Sequence, residues 1–220
     1  RQNGALEQRF MIYAFRMATT SKEALADPSI KAALDKGFAN IGEWVRRAPL
    51  KEGTSPLRLL PNYERWVLDL FTHGEYDDYW KQRGYAISQY YQEHADVPTL
   101  YLGGWYDSYA RATCENFTLL SQMKESRQVL LMGPWTHGGW GVSYAGDIDF
   151  GSRSFINYND LRLAWFDHFL KGQYTEVADW SAVKIFVMGS GNGNINYQGR
   201  RHHGGYWRDE QDFPLHDTKF

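Results

Sequence analysis

The chain has 220 residues, 43% of them hydrophobic and 16% aromatic, with a formal net charge of −2 and a single cysteine. That length suits one large domain or parts of two or three, with enough apolar residues for real cores. A near-neutral balance without a basic stripe excludes a phosphate-backbone binder, one cysteine excludes an intrachain disulfide, and no apolar run approaches membrane-spanning length, Phe10 to Phe15 being short and flanked by Arg9 and Arg16.

Residues 1–94 read as mostly helical. Asp27-Pro28 is a cap and first-turn pair, Leu34, Phe38, Ile41 and Val45 recur at helical spacing, and Arg46 with Arg47 fill the last turn before Pro49. Two short apolar runs follow, Val97-Pro98-Thr99-Leu100-Tyr101-Leu102 and Gln128-Val129-Leu130-Leu131-Met132. Each is closed by glycine, as interior strands of a parallel sheet are. Between them Tyr109 to Met123 forms a helix-length segment, with Ala110, Cys114, Phe117 and Leu120 on one face. Strand, helix and strand together are long enough for a right-handed parallel crossover. A further helix is expected over Asn159 to Lys171, ended by Gly172. From 173 onward the texture changes to alternation, with Val183, Ile185 and Val187 on one side and a glycine- and asparagine-rich loop from Gly189 to Gly193, as in a β-sandwich.

The two glycine-closed strands lead into Gly103-Gly104-Trp105-Tyr106-Asp107 and Gly133-Pro134-Trp135-Thr136-His137-Gly138-Gly139. Parallel neighbours lie about 4.8 Å apart. Asp107 and His137 would therefore leave the sheet together, at the edge where open α/β sheets place their chemistry. A carboxylate holding a histidine is two thirds of a nucleophilic triad. Each residue also has a plainer reading: Asp107 as a cap of the following helix, His137 as a structural donor under an aromatic lid. Trp105, Tyr106, Trp135, Trp140 and Tyr144 cluster around these loops and are candidates for an apolar acyl pocket or for core.

The strings LYLGGWYDSY and LLMGPWTHGG, with HGEYDDYW upstream and WFDHFLKG, VKIFVMG and YWRDEQDFPL downstream, closely resemble the CocE/NonD hydrolases. These are grouped with the Xaa-Pro dipeptidyl-peptidases and include α-amino acid ester hydrolases, β-lactam acylases and cocaine esterase. The resemblance covers most of the chain from about residue 62. It implies that Asp107 is the acid and His137 the general base of a Ser-His-Asp triad, with an α/β-hydrolase fold as the frame. Residues 1–94 then match a helical cap, 95–172 the C-terminal part of the hydrolase domain, and 173–220 the start of a jelly-roll domain. It also implies that Asp77 or Asp78 reads a substrate ammonium, against the plainer role of helix capping.

In such hydrolases the serine precedes the acid and sits on a sharp turn between strand and helix. Thr19, Thr20, Ser21, Ser29 and Ser55 have neither the glycines nor the strand for it. Gly141-Val142-Ser143-Tyr144-Ala145-Gly146 imitates the nucleophile string, but it follows irregular sequence and comes after the base. The chain also begins at Arg1, so the nucleophile is expected on a polypeptide segment upstream. The expected ligands are a small ester or amide or a short peptide. No cofactor is expected, and no metal, since His73, His94, His168, His202, His203 and His216 lack ligand spacing. A homo-oligomer and the compartment stay open. The rival from another class is a non-catalytic carbohydrate- or peptide-binding module.

Overall fold

The structure, a computed structural model, describes residues 6–216. The chain divides between Gln89 and Tyr90 into two compact units. The outer ends of the first and third expected zones, 1–5 and 217–220, lie outside the described residues.

The first unit is helical. Helix α1 (Gln8–Thr19) buries Met11, Ala14, Phe15 and Ala18, one face at the helical period. The short α2 (Lys22–Ala26) starts where the Ser21 hydroxyl accepts the Ala24 N–H at 3.1 Å. Helix α3 (Pro28–Ala39) starts as expected: Asp27 Oδ1 accepts the Ser29 and Ile30 N–H groups at 2.8 and 3.3 Å, with Pro28 in the first turn. The repeat Leu34, Phe38, Ile41, Val45 spans two helices, because Asn40 leaves helical geometry and α4 (Ile41–Arg46) begins after it. All four side chains still reach the same core, with Met11, Phe15, Leu57 and Val67. Helix α5 (Pro61–Thr72) closes the unit. Fully burying each of these large apolar side chains stabilises the unit by about 1.5–3 kcal/mol before entropy is counted.

The second unit is an α/β sheet. Strand β1 (Thr99–Gly104) pairs in parallel with β2 (Gln128–Gly133), in a register that sets Gly104 opposite Gly133. The crossover between them is α6 (Ala110–Leu120). Every residue of β2 is buried. Leu130 and Met132 meet Phe117 of α6 on one face, and Val129 and Leu131 meet Leu161 and Trp165 of α7 (Tyr158–Lys171) on the other. A strand covered on both faces reads as an unbroken apolar run, which is why it was visible in the sequence. Asn157 caps α7, and Gly172 ends it in the left-handed conformation at φ +68°.

The tail departs from the expected sandwich. Two short strands, β3 (Tyr144–Ala145) and β4 (Ile148–Asp149), pair antiparallel. Next comes β5 (Val183–Met188), which runs parallel to β2, with Leu130 opposite Val183 and Met132 opposite Ile185. After it, β6 (Arg201–His202) joins β4, and β7 (Gly205–Glu210) returns antiparallel to β5. The order β1-β2-β5-β7 makes the segment after 173 the continuation of the sheet begun by β1 and β2, not the opening of a jelly roll within the described residues. The alternation reported a strand with two unlike faces correctly. It carries no information about which sheet that strand joins.

Candidate active site

The site begins with three glycines whose missing side chains leave room for the Trp135 backbone, the Trp135 indole and the Met132 side chain. A β-carbon on Gly104 would lie 2.2 Å from the Trp135 carbonyl oxygen, one on Gly133 would lie 2.4 Å from the Trp135 indole, and one on Gly103 would lie 2.7 Å from Met132 Sδ. In the space this leaves, the loops zip together. The Trp105 N–H donates to the Gly133 carbonyl at 2.9 Å, the Tyr106 N–H to the Trp135 carbonyl at 3.0 Å, and the Asp107 N–H back to Gly104 at 3.0 Å. Asp107 is part of this zipper and His137 lies two residues beyond it, so their side chains have little freedom to drift apart.

Asp107 and His137 meet there. Asp107 Oδ2 lies 3.0 Å from His137 Nδ1, while Oδ1 accepts the Tyr109 N–H at 2.9 Å. The two sequence readings of Asp107 are thus both realised, one on each oxygen: Oδ1 fixes the turn ahead of α6 and Oδ2 holds the imidazole. The carboxylate is largely withdrawn from water, its side chain 10% exposed, and the imidazole projects outward at 73%. An ionised carboxylate only accepts, so in the neutral ring Nδ1 carries the hydrogen and Nε2 holds the free lone pair. Nε2 has no hydrogen-bond partner among the described residues. Gly138 lets the chain turn directly after His137 at φ +73°, and the Gly139 N–H closes that turn on the Thr136 carbonyl at 2.9 Å.

The candidate aromatics divide by burial. Trp135 is 1% exposed, donates its indole N–H to the Ser154 carbonyl at 2.8 Å and packs against Trp207, so it is the floor of the loop and not a wall of an opening. Trp105 is half-buried and donates its indole N–H to the Phe186 carbonyl at 3.0 Å, bracing the Asp107 loop on β5. Tyr106 is exposed, its hydroxyl directed at Met188 Sδ 3.4 Å away. Trp140, half-buried, packs on Tyr158 at 4.7 Å. Tyr144 lies under the Arg200 guanidinium at 3.6 Å. Indole and phenol rings look alike in a string of letters, so the split between braces and outward rings was not readable there.

Asp77 and Asp78 belong to the first unit. Asp77 accepts the Tyr79 N–H at 3.1 Å and lies 2.6 Å from His73 Nδ1. The His73 hydrogen bond is the main cause that holds its carboxyl below the usual range. Its carboxylate therefore caps a turn and pairs a histidine. Asp78 is fully exposed, with Lys81 Nζ 3.3 Å away.

Ser143 donates its hydroxyl to Asp149 Oδ1 at 3.1 Å and enters β3, not a helix, so it lacks the strand-turn-helix setting of a nucleophile. The sequence reading missed Tyr109. Its ring centroid lies 5.3 Å from that of His137, and the available signal was its place two residues after Asp107. Among the described residues no three His, Cys, Asp or Glu side chains gather in a way that would hold a metal ion.

Comparison with known proteins bears on this arrangement. The family model described as X-Pro dipeptidyl-peptidase (S15 family) matches residues 1–139, which contain both Asp107 and His137. The cocaine esterase of Rhodococcus sp. (strain MB1 Bresler) is 29% identical over 177 residues, 78% of this chain and 26% of that protein. Two solved structures of a CocE/NonD family hydrolase from Staphylococcus aureus are 20% and 19% identical to this chain. They cover 70% and 74% of this chain and 23% and 25% of their own, with TM-scores of 0.45 and 0.47. The chain thus spans about a quarter of the length of the curated relative.

Proposed function

Because this chain belongs to the X-Pro dipeptidyl-peptidase (S15) family, of the CocE/NonD hydrolase kind, we propose that Asp107 and His137 are the acid and general base of a serine hydrolase. The nucleophilic serine comes from polypeptide outside these residues. The observation that carries the reading is the 3.0 Å contact between Asp107 Oδ2 and His137 Nδ1, with the other edge of the ring open to solvent.

The chemistry follows from what each group can do. A serine hydroxyl is a weak nucleophile until a base takes its proton as it attacks. His137 Nε2 takes that proton when the hydroxyl adds to an ester or amide carbonyl, and the ring becomes an imidazolium. The Asp107 carboxylate stabilises that charge without accepting the proton, and until then it keeps Nδ1 as the protonated nitrogen. His137 then returns the proton to the departing alcohol or amine, leaving an acyl-enzyme, and a water molecule activated by the same nitrogen releases the acid. Tyr106, which faces outward, and the half-buried Trp140 are the proposed contacts for an apolar acyl group. Trp105 and Trp135 hold the loops that present the acid and the base.

A fluorophosphonate probe tests this on the full-length protein. The reading requires one labelled serine upstream of Asp107, with labelling lost in His137→Ala. A protein that resists the probe, or that keeps full turnover of p-nitrophenyl esters, amino-acid esters and Xaa-Pro anilides after His137→Ala, removes the hydrolase assignment of this pair. The same three substrates rank ester, amino-acyl and dipeptidyl specificity.

A further inference from the structure

On the face of the sheet that α7 covers lies a cavity of about 380 Å³ whose lining does not include Asp107 or His137. Its apolar walls are Leu131, Ile156, Leu161, Trp180 and Trp207, and its charged groups are Asp160, Glu176 and Lys184. That volume falls within the range of small-molecule sites, roughly 300–1,000 Å³, and the mix of aromatic wall and few charges is their usual chemistry.

The charges decide what fits. Lys184 is already matched: its ammonium pairs with Asp209 and lies 5.4 Å from the centre of the Trp180 ring. Asp160 stands in the first turn of α7, where the helix dipole offsets a negative charge, and accepts from the Asn157 amide at 2.6 Å. Glu176 is exposed and has neither a side-chain hydrogen bond nor an ion pair among the described residues. The cavity therefore presents at its exposed rim one carboxylate without a protein partner, beside two indoles of which Trp180 already faces the Lys184 ammonium and Trp207 does not, and an indole face attracts a cation.

We propose that this cavity binds an organic ammonium ion with an apolar body, its charge on Glu176 and its body between Trp180 and Trp207. The site stands apart from hydrolysis, yet its walls support the catalytic loop from behind. The Ile156 N–H donates to the Trp140 carbonyl at 3.2 Å, and Trp207 lies 5.6 Å from Trp135, centre to centre. Occupancy thus bears on the two tryptophans that flank His137 in sequence.

Direct binding tests this without any turnover, so its outcome is separate from that of the hydrolase reading. Calorimetry with 2-phenylethylammonium chloride should show saturable binding roughly tenfold tighter than that of the isosteric 2-phenylethanol, the scale of one ion pair with cation–π help. Glu176→Gln, an exposed and conservative change, should bring the amine to the level of the alcohol, and the indole N–H resonances of Trp180 and Trp207 should shift on binding. Asp107→Asn should leave the affinity unchanged. Equal binding of amine and alcohol, an unchanged preference in Glu176→Gln, or loss of binding in Asp107→Asn would each overturn the proposal.

Discussion

Gly104 and Trp135 approach so closely that a single added methyl at Gly104 would collide with the Trp135 carbonyl, 2.2 Å from its oxygen. Because that carbonyl also accepts the Tyr106 N–H, the collision falls on the bond that holds the Asp107 loop to the His137 loop. Gly104→Ala should therefore destabilise the second unit by about 1–3 kcal/mol, as overpacking does. The check is the urea midpoint together with the His137 ring resonances. A variant that unfolds at the wild-type midpoint with an unchanged ring environment contradicts this account of the loops.

Asp107→Asn separates holding from folding. Asparagine Oδ1 can still accept the Tyr109 N–H, so the turn before α6 survives and the unfolding midpoint should move little. Its amide NH2 would face Nδ1, forcing the hydrogen onto Nε2, where it blocks proton removal from serine. Turnover by the full-length enzyme should drop by roughly four orders of magnitude, the scale seen when a triad carboxylate is lost in this way. A loss below about tenfold would mean that the carboxylate serves the turn alone.

Ser143→Ala should leave turnover and fluorophosphonate labelling largely intact. The hydroxyl donates one hydrogen bond to Asp149, so its removal should cost about 1 kcal/mol of stability. Loss of several orders of magnitude in kcat would make Ser143 the nucleophile after all.

Asp149 gathers the loop after His137 and the tail. Its carboxylate accepts Ser143 Oγ at 3.1 Å, the Gly151 N–H at 2.9 Å and Asn196 Nδ2 at 3.0 Å, and its carbonyl accepts the His203 N–H at 2.8 Å. Burial alone would raise its pKa. The Gly151, Asn196 and Ser143 hydrogen bonds, with the nearby His202, outweigh burial and hold it below the usual value. A carboxyl whose folded pKa is depressed adds stability above its unfolded value, about 4, and that contribution is lost as pH falls through the folded value. Asp149→Ala should accordingly be less stable than wild type by about 1–3 kcal/mol at pH 7, with the gap narrowing steadily below about pH 4. Urea unfolding across that range measures it, and a gap constant with pH would assign the effect to packing alone.

Much of the frame was legible along the chain because its signals are local. The Asp27 cap, the left-handed Gly172, the fully buried β2 and the paired glycine ends of β1 and β2 each follow from a few adjacent residues. Less was legible where one pattern serves two partners. The spacing through Leu34 and Val45 concealed the break at Asn40, because both helices bury the same face.

The sequence by itself determined that an acid and a base leave neighbouring strand ends together, since strand length, closing glycines and crossover length are properties of adjacent residues. Only the tertiary structure decided that Asp107 divides its two oxygens between a turn and an imidazole, that Trp105 and Trp135 are braces while Tyr106 faces outward, and that the tail extends the same sheet. Those outcomes depend on groups far apart in the chain, such as Trp105 on the Phe186 carbonyl and Leu130 beside Val183. Contacts between such distant groups leave no periodicity to read, because each is set by how whole strands and helices pack.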